Sequence, residues 1–212
     1  MYITWHGHAC FELGNEIKIL FDPHDGKSIG LKPPIATPDI VLVSHQHFDH
    51  NAIRAIHGKF KVYDHVGEWR EGDVEIKGVK AYHDEFGGRR RGEIVMFRVS
   101  MEGVNFLHTG DLGHILPDSL IAEVEPVDIL FIPVGGVFTV DAKKAYRIVE
   151  KLEPKVVIPM HYRVGGLTLS INTVEPFLAM FPEEDVVHVG KSIEFEKEDL
   201  PEKLSVWVFS LD

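Results

Sequence analysis

The stretch Ile40-Val41-Leu42-Val43-Ser44-His45-Gln46-His47-Phe48-Asp49-His50 decides how this chain is read. Its apolar, largely β-branched start reads as a buried strand, and residues 44–50 form the polar loop that leaves the strand's end. Residues two apart on extended backbone share a side, so His45 and His47 can reach one metal ion. Asp49 and His50, on the turning part of the loop, can face a second ion beside the first. The plainer alternative is a polar loop in which Asp49 or Asn51 caps a short helix starting near Asn51.

Working outward, three more segments end an apolar strand on a potential ligand. Val79-Lys80-Ala81-Tyr82 ends in His83, Val104-Asn105-Phe106-Leu107 leads through His108-Thr109-Gly110 to Asp111, and Val156-Val157-Ile158-Pro159-Met160 ends in His161. Ligands of α/β proteins gather at the carboxyl ends of strands, so four such ends carrying His and Asp point to one site. Any of these residues alone would read as a hydrogen-bonded structural group. Their repetition carries the argument.

The rest of the chain supplies a frame for those ends. Strands are expected over residues 2–5, 9–13, 17–21, 40–43, 61–63, 74–82, 94–101 and 104–108, with Glu102-Gly103 as a tight hairpin turn. After Asp118 helix and strand alternate: helix 118–124, strand 128–133, helix 141–152, strand 155–160, helix 173–180. Asp141 is a fair N-cap, and Ala142, Ala145, Ile148, Val149 and Leu152 fall on one helical face. Strands return over 186–189, 192–196 and 204–209. Meanders interleaved with βα units predict an α+β or layered α/β domain, helices outside the sheets, with residues 1–212 forming a single domain.

Composition narrows the function. With 22 Lys+Arg against 33 Asp+Glu the net charge is −11, a field that repels nucleic acid, so no general nucleic-acid binding is expected. Cys10 is the only cysteine and lies in the apolar run Ala9-Cys10-Phe11-Glu12-Leu13, where it reads as a packed thiol suited to a reducing cytoplasm. The start of the chain shows no basic-then-apolar export signal, and no apolar run nears the roughly 20 residues that cross a bilayer, so a cytoplasmic protein without a membrane partner is expected. The expected partner is a small-molecule substrate, with a homo-oligomer left open. Thirteen histidines are the feature that composition leaves to explain.

The pattern His45-Gln46-His47-Phe48-Asp49-His50, then His83, then Thr109-Gly110-Asp111, then Met160-His161-Tyr162 resembles the metallo-β-lactamase fold superfamily, with its H-x-H-x-D-H motif and later His, Asp and His. Within it the chain is similar to uncharacterised metal-dependent hydrolases related to ascorbate-6-phosphate lactonases. Stretches that carry this are Ile3-Thr4-Trp5-His6-Gly7-His8, Phe21-Asp22-Pro23, Gly110-Asp111-Leu112-Gly113-His114 and Pro133-Val134-Gly135-Gly136. The resemblance spans nearly the whole chain and implies a four-layer αββα sandwich. It also implies that His45, His47 and His83 bind one metal, that Asp49, His50 and His161 bind a second, and that Asp111 bridges them. A donor set of imidazole and carboxylate suits two divalent ions, zinc first, with manganese or iron as alternatives. The oxygen-reducing diiron relatives carry H-x-E-x-D instead, and position 47 here is His.

Two adjacent ions lower the pKa of water from 15.7 towards about 7, so hydrolysis by a bridging hydroxide is the expected reaction. Asp49 is then the catalytic carboxylate, orienting the nucleophile or passing a proton to the leaving group. The expected substrate is a small anionic ester, lactone, amide or phosphodiester. The alternatives are a nuclease of the same fold and a metal-binding protein without turnover. His8 is a candidate for lining the pocket or supporting a ligand, and Asp22 for bracing a metal loop. The loop Gly87-Gly88-Arg89-Arg90-Arg91-Gly92 is a candidate clamp for phosphate or carboxylate, and Tyr162 a candidate donor to a bound oxyanion. The bland counterparts are a packed strand-end histidine, a turn-initiating Asp-Pro, a solvated loop and a packing tyrosine.

Overall fold

Two β-sheets packed face to face organise the chain, and the computed structural model describes all of residues 1–212. The first sheet contains β1 (Tyr2–Gly7), β2 (Cys10–Gly14), β3 (Lys18–Phe21), β4 (Ile40–Leu42) and β5 (Lys61–Tyr63). The second contains β6 (Gly67–Glu71), β7 (Val74–Tyr82), β8 (Glu93–Met101), β9 (Val104–His108), β10 (Ile129–Pro133), β11 (Val156–Met160) and β12 (Val186–Gly190). Then β13 (Ser192–Glu194) crosses back to pair with β1, and β14 (Ser205–Phe209) inserts between β12 and β11. The helices are α1 (Asp118–Val124), α2 (Ala142–Leu152) and the single turn α3 (Glu175–Leu178).

Strand alternation builds the core between the sheets. Phe11, Leu13, Ile19, Phe21, Ile40 and Leu42 of the first sheet share one apolar cluster with Phe97, Phe106, Leu130, Phe131 and Ile158 of the second. Every residue of β10 and β11 is buried, as expected of parallel strands covered on both faces. The outer cover comes from α2, which is capped by the Asp141 carboxylate accepting Lys144 N–H at 2.9 Å and buries Ala145, Ile148, Val149 and Leu152.

The opposite outer layer is thinner. Cys10, Leu20, Val41 and Val43, alternating with the inward residues, pack beneath Ile56 and the partly buried Ala36, Ile53 and Phe60. Loops and 3-10 turns cover this face, so the helical layer of the αββα sandwich is nearly all on one side. The helix expected near Asn51 is a 3-10 turn over Ile53–Ala55. One turn suffices to drop Ile53 and Ile56 onto Val41 and Val43, while Ala52 N–H is taken by Pro23 O at 2.8 Å.

Likewise the helix expected over 173–180 shortens to Glu175–Leu178, because Met180 and Phe181 donate to residues three back before Pro182 ends the run. Strand β6 was not expected. Its charged Glu68 and Arg70 face solvent at a sheet edge, where charge blunts further pairing, and Trp69 is its one apolar signal.

Strand direction delivers the site. Strands β9, β10 and β11 are parallel, and β7 runs with them because β8 is antiparallel to both β7 and β9. The ends of β7, β9 and β11 therefore reach one edge. The loop after β4 joins that edge through Val95 N–H donating to Ser44 O at 2.8 Å, and the β1–β2 turn joins it through His161 N–H donating to His8 O at 3.2 Å.

Two buried histidines near this edge are fixed in the neutral form by backbone groups. His24 Nε2 donates to His6 O at 3.0 Å while its Nδ1 accepts Gly26 N–H at 3.0 Å; His108 Nε2 donates to Ala9 O at 2.9 Å while its Nδ1 accepts Gly110 N–H at 3.2 Å. Burial lowers both below the ordinary histidine value, His24 to about 4. A histidine depressed on folding contributes stability that is complete above its unfolded value and lost as pH falls towards its folded one. Unfolding free energy measured by urea titration in chelator should therefore drop between pH 6.5 and 4, with roughly 3 kcal/mol from His24 at about 1.4 kcal/mol per pH unit. His24→Gln should flatten that slope; an unchanged slope would remove His24 as a cause.

Candidate metal centre

Asp22 is the group around which the site is arranged. It is fully buried, sits at φ 42° immediately after β3, and its backbone N–H donates to Leu42 O at 2.9 Å. Its Oδ1 accepts Ser44 N–H at 2.7 Å; its Oδ2 accepts the Ser44 hydroxyl at 2.7 Å and His50 Nδ1–H at 2.9 Å. Because the Ser44 hydroxyl is spent on Asp22, it accepts from His45 Nδ1–H at 2.8 Å. One carboxylate thereby fixes two tautomers, leaving Nε2 of both His45 and His50 directed into the site.

Around those atoms the expected ligands divide into two sets. Donor atoms of His45, His47 and His83 lie within 4.8 Å of one another, and so do those of Asp49, His50, His161 and His8. Asp111 stands between the sets. Its Oδ2 lies 3.3 Å from His83 Nε2, 3.7 Å from His45 Nε2 and 3.3 Å from His161 Nε2, and its Oδ1 lies 3.1 Å from His50 Nε2. His8 joins the second set through Nε2, which donates to Asp49 Oδ2 at 3.0 Å, and its ring lies 4.1 Å from that of His161. All of these residues are buried except His47, which is exposed at the mouth.

Neutral imidazoles and ionised carboxylates in most of the set suit cation binding, whereas His50 holds a proton that a cation would have to displace. Burial, reinforced by neighbouring His161, lowers His8 to about 3; burial and His50 lower His45 to about 3; burial and His83 lower His47. Burial works against the charge on Asp49 and Asp111, yet hydrogen bonds from His50 and His8 hold Asp49 low, and His161 and His50 hold Asp111 well below the carboxylate range. Burial also opposes charge on His50, but Asp111 and Asp22 outweigh it and raise His50 well above its ordinary value. The donor chemistry fits a metal on one further observation. Among the buried side-chain atoms without a hydrogen-bond partner are His45 Nε2, His50 Nε2 and Asp111 Oδ1, all at the ligand cluster. Unpartnered buried polar atoms are costly, and three that face one another mark a site built for something that supplies the missing contacts.

Residues 2–161 match the β-lactamase superfamily domain. The chain belongs to this superfamily. A UPF0173 metal-dependent hydrolase of Carboxydothermus hydrogenoformans is 34% identical over 191 residues, covering 76% of this chain and 84% of that protein. One from Archaeoglobus fulgidus is 33% identical over 197 residues, covering 79% and 85%. A metallo-β-lactamase superfamily protein of Thermotoga maritima, known from its crystal structure, has 35% identity and a TM-score of 0.81, covering 98% of this chain and 97% of that one. The chain is thus a metal-dependent hydrolase with the metallo-β-lactamase fold.

Within this β-lactamase superfamily frame the weaker candidates separate. Tyr162 does not reach the site: its ring packs 5.5 Å from Trp5, its hydroxyl donates to Phe209 O at 3.4 Å, and burial raises its pKa. His161 has φ 50°, and this left-handed step sends Tyr162 into the core. Arg89 is exposed, Arg90 stacks on the exposed Phe86 at 3.9 Å, and only Arg91 enters the cleft beside the ligands, where it stacks on Phe138 at 4.9 Å. This cleft of about 370 Å³ is walled by Phe48, Phe138 and Leu169 opposite His47, His83 and Asp111.

Two groups escaped the sequence reading. Ser44, directly before the first histidine, relays Asp22 to His45. Asp84, directly after His83, accepts N–H groups of Phe86, Gly88, Arg90 and Arg91 at 2.7–2.9 Å; against the cost of its burial these hold its pKa at about 2. Close backbone approach also matters. A Cβ on Gly113 would lie 2.2 Å from the His83 carbonyl carbon, and one on Gly135 would lie 2.2 Å from His161 O, so both ligand loops depend on glycine contacts.

Asp22→Asn should weaken metal affinity by about 10- to 100-fold, since an amide cannot accept all the bonds that orient His45 and His50. Competition with a metal-binding dye reads this directly. Parent-like affinity in a folded Asp22→Asn protein would show that the tautomers are set elsewhere.

Proposed function

We propose that the chain binds two divalent ions, zinc first with manganese or iron as alternatives, and hydrolyses a small anionic ester, lactone, amide or phosphodiester. The observation that carries this reading is Asp111, whose carboxylate contacts members of both ligand sets at 3.1–3.7 Å, the position of a bridging ligand. When bound, two such ions acidify water and polarise a carbonyl or phosphoryl oxygen.

The chain's own residues supply the rest. Asp22 and Ser44 occupy Nδ1 of His50 and His45, so Nε2 of each is the nitrogen left for a metal, that of His50 once its proton is displaced. Asp49 is ionised and lines the cleft; His8 fixes its Oδ2, so its other oxygen is the group placed to handle a proton at the reacting bond. Phe48, Phe138 and Leu169 give the cleft an apolar wall. A small substrate is favoured over nucleic acid by the net charge of −11. We read residues 1–212 as one domain. The lone buried Cys10 supports a cytoplasmic setting, and no helix is long and apolar enough to cross a membrane.

The test is a panel of lactone, ester, amide, phosphodiester and single-stranded nucleic-acid substrates, assayed after chelation and after reconstitution with each metal. Turnover of a small substrate that chelator abolishes is expected, and processing of nucleic acid alone would replace this reading by the nuclease. Elemental analysis should give two ions per chain, falling in Asp111→Asn; saturation at one ion in the parent would defeat the dinuclear site. Asp49→Ala should lower kcat by orders of magnitude, and near-normal turnover at full metal content would remove Asp49 from the chemistry.

A further inference from the structure

Of the three consecutive arginines, none of which is paired with a carboxylate, Arg91 is the one that is partly buried and lines the cleft. Its neighbour Glu93 is already paired with Lys80, and Arg91 itself forms no salt bridge. One terminal guanidinium nitrogen is buried with no hydrogen-bond acceptor. Its backbone N–H is gripped by Asp84 at 2.8 Å and its guanidinium lies over Phe138, so the group is held from both ends. It lines the cleft that holds His47, His83 and Asp111, and an adjoining cleft of about 530 Å³ shared with His45 and His47.

The cleft beside it is apolar where the substrate's body must lie. Phe48 is 58% exposed and Phe138 39% exposed, both at its wall. An exposed aromatic alone means little, but two of them flanking an unpaired guanidinium and a metal-ligand cluster make an amphiphilic cleft. An unpaired guanidinium at a cleft wall is matched by a planar oxyanion through a charge-assisted, fork-like contact.

We infer that Arg91, and neither Arg89 nor Arg90, is the specificity-determining residue for an aromatic or bulky apolar acid. The acid's carboxylate or phosphate docks on the guanidinium, and its ring or chain lies between Phe48 and Phe138. This deepens the hydrolase reading and rests on it: the anionic group is remote from the scissile bond, which sits over the ligand cluster.

The test measures binding to the metal-loaded protein by calorimetry, with benzoate, phenylphosphonate, acetate and benzamide as probes. Parent, Arg91→Gln, Arg91→Lys, Arg89→Gln and Phe138→Ala proteins are compared at equal metal content. Coordination to the metals is common to all variants, so differences between Arg91→Gln and Arg89→Gln isolate the guanidinium. Arg91→Gln should weaken the preferred aromatic anion roughly 10- to 100-fold, with Arg91→Lys between it and the parent, while Arg89→Gln and benzamide binding stay unchanged. Phe138→Ala should bring benzoate down to the affinity of acetate. The arms with benzoate and phenylphosphonate tell a carboxylate from a phosphate site. Equal anion affinity in Arg91→Gln and Arg89→Gln, acetate bound as tightly as benzoate in the parent, or loss of metal from Arg91→Gln would each overturn the inference. Failure of every substrate with this binding pattern intact overturns hydrolysis alone; turnover with no dependence on Arg91 overturns the subsite alone.

Discussion

A single buried carboxylate, that of Asp22, sets the terms for the metal centre. An ionised carboxylate removed from water is tolerated only when its lone pairs are filled, and here a backbone N–H, a hydroxyl and an imidazole N–H fill them. Each of those donors does a second job. The Ser44 backbone carries the loop to the edge of β8 through its carbonyl, its hydroxyl orients His45, and the imidazole N–H belongs to His50. Charge satisfaction, loop placement and ligand tautomer are therefore one problem with one solution. Removing Asp22 would not merely weaken a contact; it would leave three donors seeking partners in a dry interior.

The second constraint is convergence of strand ends, which depends on both sheets holding their relative position. His45, His47, Asp49 and His50 leave the first sheet, whereas His83, Asp111 and His161 leave the second. The large apolar cluster between the sheets, with Phe11, Phe21 and Phe131 at ring separations of 4.8–6.3 Å, fixes the distance between these groups. Dense packing makes that distance stiff. Close backbone contacts at Gly113 and Gly135 then set the final placement of His83 and His161, so the site draws its geometry from the core and from positions where no side chain fits.

What the sequence made legible follows from these constraints. His45 and His47 were readable because extended backbone repeats every two residues, and His83, Asp111 and His161 because each closes an apolar strand. The role of Asp22 was readable only as a brace, since the residues it braces lie 22 and 28 positions away. Ser44 was hidden because a hydroxyl's role depends on which acceptor the fold brings to it, and Asp84 because its partners are backbone amides of a loop with no periodic pattern. Tyr162 misled for a related reason: adjacency to His161 implies a shared site only on regular backbone, and the left-handed step at His161 breaks that regularity. The short turn at Ile53–Ala55 and the edge strand β6 fall outside periodic reading because one is too brief to show a period and the other has Gly67 and Glu71 at its inward positions, leaving Trp69 as its one apolar signal.

The three consecutive arginines show how far charge alone can be taken. A run of positive residues in a chain of net charge −11 marks an anion-binding candidate but cannot rank its members. The ranking comes from Asp84, which binds the amides of Arg90 and Arg91 and turns their side chains to different surfaces, one onto Phe86 and the other onto Phe138 at the cleft. The overall negative field also bears on how an anion would be recognised. Fields between exposed charges are screened within about 8 Å at physiological salt, so long-range steering of an anion towards this protein is weak or unfavourable. Recognition must then be short-ranged, made by a pre-positioned guanidinium and by apolar walls that act only after the ligand has entered. Selection at such a site depends on residence within the cleft more than on rate of arrival, which is why the rigidity of the Asp84 loop matters to it as much as the charge of Arg91.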